Sequence, residues 1–164
     1  MQLREHIIIG AVASIILIPQ WGIWRALLFW GAEVLIDADH YWDYLWRNKF
    51  QDWSGWRMFR YYKIMIRKER LQKKGILHFH ALHNAEVFIG VYLLATFWNY
   101  PIFISIFWGM VLHIILDTIN SIRFKVLFIR AYSAVEYLIR KKLMLRKGIN
   151  PDIFYKEIFE SSEK

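Results

Sequence analysis

The sequence predicts an all-α integral membrane protein: a bundle of four transmembrane helices arranged as two helical hairpins, with a cytoplasmic amphipathic segment and a C-terminal helix. Three observations predict it. Of 164 residues, 57% are hydrophobic, against roughly 45–50% in an average soluble domain. The net charge is nevertheless +8, from 22 Lys and Arg against 14 Asp and Glu, and apolarity combined with basicity is the pattern of membrane spans joined by cytoplasmic basic loops. The basic residues are also gathered in blocks. Residues 77–122 contain no Lys or Arg and 6–45 contain Arg25 alone, whereas 44–76 holds ten basic residues and 123–147 holds eight.

Each apolar stretch is interrupted once by turn chemistry, at Pro19-Gln20-Trp21-Gly22 and at Asn99-Tyr100-Pro101, which divides it into a hairpin. The four helices fall near residues 3–18, 22–41, 79–98 and 101–120. A span needs roughly 20 residues, so the first is short and calls for local thinning of the bilayer. Pro19-Gln20-Trp21 lacks the small-residue site of a cleaved signal peptide, so the first helix reads as retained. With the basic blocks inside, both termini face the cytoplasm and the protein belongs to the inner cell membrane. Arg25 then lies at the outer interface, where Trp21, Trp24, Trp98 and Tyr100 form an aromatic belt.

Residues 1–122 read as the membrane domain, including the basic and aromatic segment 41–77, and 123–164 as an amphipathic helix and tail. Segment 41–77 interleaves aromatics with Arg and Lys, as in Trp56-Arg57-Met58-Phe59-Arg60. Beside membrane hairpins this favours anionic lipid head groups as partner over nucleic acid. In the tail, Phe128, Ala131, Val135 and Leu138 recur at helical spacing, as in a docking helix.

With no cysteine, disulfides, thiolate metal sites and thiol catalysis are excluded. Ionisable residues within membrane segments are costly and mark function. Here they gather at one side: His6 opens helix one; Glu33, Asp37, Asp39 and His40 close helix two; His78, His80, His83 and Glu86 open helix three; His113 and Asp117 close helix four. All six histidines belong to this set, although the topology follows from Lys and Arg alone. Residues three or four apart share a helix face, so Glu33, Asp37 and His40 form one stripe and His113 with Asp117 another. Imidazole beside carboxylate suits a divalent ion, zinc first and manganese or iron next, in one or more copies.

Blander roles exist for each group alone. His113 could be a hydrogen-bonded core residue, Asp39-His40 a helix cap, and His78-Phe79-His80 a pH-sensitive loop.

The order of an N-terminal His, Asp-x-Asp-His at 37–40, His-x4-His at 78–83 and His-x3-Asp at 113–117 resembles the family of predicted membrane-bound metal-dependent hydrolases, which includes inner-membrane proteins described as LexA-binding. The resemblance covers about residues 1–120. Where that family often has His-Arg and a closing His-Ser, this chain has His78-Phe79 and His83-Asn84. It implies a hydrolase; by their own clustering and spacing, His6, Asp39, His40, His78, His83, His113 and Asp117 are the expected metal ligands. Asp37 or Glu33 would act as proton acceptor or orient a ligand, and His80, Asn84 and Glu86 would complete the surroundings. A site at the depth of the head groups suits a phosphoester of a lipid or other amphiphile. The rival classes are a non-catalytic scaffold locked by its ion, a proton or metal transporter using the His and Asp cluster, and a haem bundle.

Overall fold

A computed structural model describes residues 3–72, 75–98 and 100–162. The Asn99 of the second expected turn, and Lys73 and Lys74 of the first basic block, lie outside the described residues. Eight α-helices follow in order: α1 (Leu3–Trp21), α2 (Ile23–Leu35), α3 (Ala38–Arg47), α4 (Gly55–Gln72), α5 (Ala85–Phe97), α6 (Pro101–Arg123), α7 (Ala134–Arg146) and α8 (Pro151–Ser162). Single 3-10 turns occupy Ala81–His83 and Leu127–Ile129. The described residues contain no strand, so the all-α expectation holds.

Two of these helices, α1 and α6, are long and apolar enough to cross a membrane. The second and third of the expected segments fare differently. The expected helix at 22–41 breaks after Leu35, so the Asp-x-Asp-His run straddles a turn between α2 and α3. The expected helix at 79–98 begins only at Ala85, because residues 76–80 are extended and bridge to Arg130: the His78 N–H donates to Ile129 O (2.7 Å) and the Ala131 N–H to His78 O (2.9 Å). At 13 residues each, α2 and α5 rise about 20 Å, short of the ~30 Å hydrocarbon core.

The chain folds as two compact units, one of Met1–Asp37 with Leu82–Ser121, the other of Ala38–Ala81 with Ile122–Lys164. The boundary thus differs from a division at residue 122, since segment 38–81 groups with the C-terminal part.

In the first unit, polarity is arranged opposite to that of a water-soluble bundle. Helix α1 buries His6, Gly10 and Ser14 while exposing Ile8, Val12, Ile15 and Ile16. Along α6 the buried stripe is Ser105, Gly109, His113 and Asp117, spaced by four, with Ile115 and Ile119 exposed. Small and polar residues at helix contacts with apolar residues outward is the pattern of helices packed in lipid. Gly22, at φ 76°, reverses the chain between α1 and α2 in a conformation that a side chain would strain. Gly109 lets α6 approach the backbone carbonyl of Phe29 on α2, where a Cβ would collide with the oxygen. At the Trp21 end of this hairpin, the Arg25 Nε donates to Ser105 Oγ (3.2 Å), and the guanidinium stacks on Trp21 at 5.0 Å from the ring centroid.

The second unit has an ordinary core of Tyr44, Leu45, Tyr61, Tyr62, Met65, Ile76, Ile129, Phe154, Tyr155 and Ile158. Helix α8 joins it because Phe154, Tyr155 and Ile158 share one face toward α4. Arg47 lies 3.2 Å from the Tyr155 ring centroid and donates to both carboxylate oxygens of Asp43 at 2.8 and 2.9 Å. The expected docking helix starts later than its apolar spacing suggested. Phe128 falls in a 3-10 turn and Ala131 in an extended stretch, while Ser133 caps α7 by accepting from the N–H groups of Val135 and Glu136. Val135 and Leu138 stay exposed on it. After α3, Lys49 and Phe50 both take left-handed conformations, φ 55° and 60°, and the Phe50 N–H closes the helix on Leu45 O (2.8 Å).

Candidate metal centre

In the first unit, α1, the end of α2, the 3-10 turn before α5 and the C-terminal half of α6 bring three imidazoles and three carboxylates together. His6, Glu33, His83, His113 and Asp117 are buried and Asp37 is partly exposed. The His6 and His113 rings stack with centroids 3.9 Å apart. Glu33 orients both. Its Oε1 accepts from His6 Nδ1 at 2.7 Å, and its backbone oxygen accepts from His113 Nδ1 at 2.7 Å. A carbonyl oxygen can only accept, so Nδ1 carries the proton of neutral His113 and its Nε2 presents a lone pair. That nitrogen lies 3.1 Å from His83 Nε2, 3.4 Å from Asp37 Oδ1 and 3.8 Å from Asp117 Oδ2. His6 Nε2 faces Asp117 Oδ1 at 3.3 Å.

Two overlapping sets emerge, His6–Asp37–His113 and His83–His113–Asp117, each with donor atoms within 4.8 Å of one another. The donor chemistry fits a divalent ion. Apart from Arg4, which is exposed, and Arg25, at the Trp21 end, the unit contains no Lys or Arg in its sequence, and imidazoles are what face its buried carboxylates. In addition, Glu33 Oε2 and Asn84 Oδ1 are buried without a hydrogen-bond partner among the described residues. Oxygen and nitrogen donors in this ratio suit zinc, manganese or iron.

The second unit holds another group, Asp39, His40 and His80, likewise within 4.8 Å. Asp39 Oδ1 lies 3.0 Å from His40 Nδ1, and the His40 and His80 ring centroids are 4.3 Å apart. Tyr62 fixes the backbone below, its hydroxyl donating to His40 O (2.8 Å) and lying 3.1 Å from Asp43 Oδ2, and its ring stacks on His40. Burial, followed by the Asp43 charge, pushes the Tyr62 hydroxyl well above its usual pKa, so it stays protonated.

His78 joins neither group. Its Nδ1 is 2.7 Å from Tyr155 Oη, which itself donates to Leu77 O (2.8 Å), and its Nε2 is 2.9 Å from Glu69 Oε1. Burial alone would raise the Glu69 carboxyl, but the facing His78 wins and holds it below the usual range. With both nitrogens engaged, His78 ties α4 to α8. Glu86 is exposed in the first turn of α5, and buried Asn84 stands at that helix's N-cap without capping it through its side chain.

Sequence reasoning thus named every member of both donor groups, but gave Glu33 and Asp37 the same two alternatives; Glu33 lies against the imidazoles of His6 and His113, and Asp37 stands among the donors. Glu69, Tyr155 and Tyr62 escaped it. Tyr155 lies 77 residues from its His78 partner, so no local spacing could have exposed the link. Compared with known proteins, the chain matches no family profile, no curated protein and no solved structure.

Proposed function

We propose that the chain is a membrane-bound, metal-dependent hydrolase, as its resemblance to the predicted membrane-bound hydrolases implies, and that it acts at the cytoplasmic face of the inner membrane on a phosphoester of a lipid or other amphiphile, a substrate that suits a donor cluster at the depth of the head groups. One observation carries this reading: three imidazoles and three carboxylates converge in the first unit beneath an outer surface of exposed isoleucines. Such a surface suits lipid, with the polar cluster buried beneath it. In this reading α1 and α6 cross the membrane, and α2 and α5 complete a four-helix bundle around which the bilayer thins.

His6, His83, His113 and Asp117 would hold the ion, zinc by preference. When bound, it supplies Lewis acidity toward a phosphoryl or carbonyl oxygen and makes water a competent nucleophile near neutral pH. Glu33 keeps the His6 and His113 rings aligned through its two contacts. Asp37, the most accessible carboxylate of the set, is placed to accept a proton at Oδ1. Asp39, His40 and His80 form a second group able to hold an ion.

Elemental analysis of the full chain purified in mild detergent tests the proposal, followed by hydrolysis of a chromogenic phosphodiester. Stoichiometric metal in the wild type, reduced by His113→Ala and by Asp117→Ala together with turnover, is the expected result. A wild type that takes up no zinc, manganese or iron after supplementation would refute it.

A further inference from the structure

Beside the core of the second unit runs a groove of about 910 Å³ whose lining differs from that of either donor group. Its walls are aromatic, including Trp46, Phe50, Phe79 and Phe159, and Tyr155 belongs to its lining. Four cations and two acids also line it. Both acids are taken: Asp43 receives Arg47 at 2.8 Å and Asp152 receives Lys141 at 3.0 Å. The charge left over is that of Lys49 and Lys156, which stand exposed and have no ion pair among the described residues. Lys49 comes from the left-handed turn after α3 and Lys156 from α8, so two distant parts of the chain supply the excess.

We propose that this groove binds the head group of an anionic phospholipid, with Lys49 and Lys156 on the phosphate and Trp46 and Phe50 against the glycerol and upper acyl carbons. A phosphodiester carries one negative charge that two ammonium groups can share, and aromatic walls suit the apolar part of the same molecule. A free phosphate ion would gain nothing from those walls. The surroundings favour lipid as well, for Trp42, Trp46, Trp53 and Trp56 are each more than half exposed within 15 residues of sequence, as in the aromatic belts of membrane interfaces. This inference rests on the membrane part of the reading above and is independent of hydrolysis.

The test uses the full chain in mixed detergent micelles containing phosphatidylglycerol or phosphatidylcholine at equal mole fraction, with retained lipid counted by native mass spectrometry. At least tenfold preferential retention of phosphatidylglycerol is expected. The double variant Lys49→Gly with Lys156→Gln should reduce retention to the phosphatidylcholine level. Glycine at 49 suits the positive φ, so the fold is kept, and an unchanged metal content and melting temperature verify that. Lys156→Gln alone, on the exposed side of α8, should lower retention severalfold and serves if the double variant does not fold. Equal retention of the two lipids, full retention by the variants, or displacement of phosphatidylglycerol by millimolar inorganic phosphate would each overturn the proposal. Loss of metal or of phosphodiesterase activity in the wild type, with lipid preference intact, would strike the hydrolase reading alone.

Discussion

Glu33 holds two of the candidate ligands at once, and removing its charge tests the architecture of the centre more sharply than removing a ligand. Glu33→Gln keeps the length of the side chain and leaves the backbone carbonyl that accepts from His113 Nδ1 in place. What changes is the 2.7 Å contact with His6 Nδ1, which turns from a charge-assisted hydrogen bond into a neutral one. Bonds to a charged group contribute about 1.5–3 kcal/mol against about 1 for a neutral pair. The difference, about 1 kcal/mol or somewhat more, corresponds to roughly a fivefold to tenfold weaker ion, at the low end of the ~10–100-fold usual for groups that orient metal ligands. Glu33→Ala additionally leaves His6 Nδ1 unpaired in a fully buried position, and should approach the ~100-fold end of that range. Competition against a chromogenic chelator, with the protein in detergent, measures both. If Glu33→Gln binds zinc as tightly as wild type while His113→Ala does not bind, Glu33 does not orient His6, and the assignment of its role fails.

The remaining predictions concern packing and pH. Gly109→Ala places a methyl against the Phe29 carbonyl and 3.1 Å from Ala32 Cβ; neither is a flexible side-chain end, so a loss of about 1–3 kcal/mol is expected, visible as a lower melting temperature in detergent. Tyr155→Phe leaves His78 Nδ1 and Leu77 O without their shared hydroxyl, at a cost of about 1–3 kcal/mol, with metal content of the first unit unchanged; a large loss of metal would contradict the division into units. At Asp52, the Tyr44 hydroxyl at 2.5 Å and the Ser54 N–H hold the carboxyl below its ordinary 3.8. A depressed folded-state pKa contributes stability above the unfolded value and loses it as pH falls through the folded one. The stability gap between wild type and Tyr44→Phe should therefore be open at pH 7 and narrow below about pH 4, as read by denaturant melts at the two pH values.

Much of the site was legible in the sequence because it depends on local spacing. His113 and Asp117 share a face through the helical repeat alone, and so do Ser105 and Gly109 above them. The blocks of Lys and Arg, which leave histidine out, assign all six histidines to one side of the expected bundle. Helix lengths were less legible. Nothing in the apolar pattern of 22–41 announces the break after Leu35, where the chain turns between two carboxylates that end in different units. Helix α8 was not foreseen either, although Asn150-Pro151 is a sound start signal.

Composition, charge blocks and i, i+4 spacing by themselves determined that the chain is helical, that its polar residues form stripes, and that imidazoles and carboxylates accumulate together. These are properties of one helix at a time, set by a repeat of 3.6 residues. Only the tertiary structure decided which stripes meet. It put His83 Nε2 within 3.1 Å of His113 Nε2, gave His113 its tautomer through the carbonyl of Glu33, and withdrew His78 into a contact with Glu69 and Tyr155. The ring nitrogen that donates, and the one left to bind, depend on partners 30 to 80 residues away, and such partners are brought close by packing rather than by local spacing.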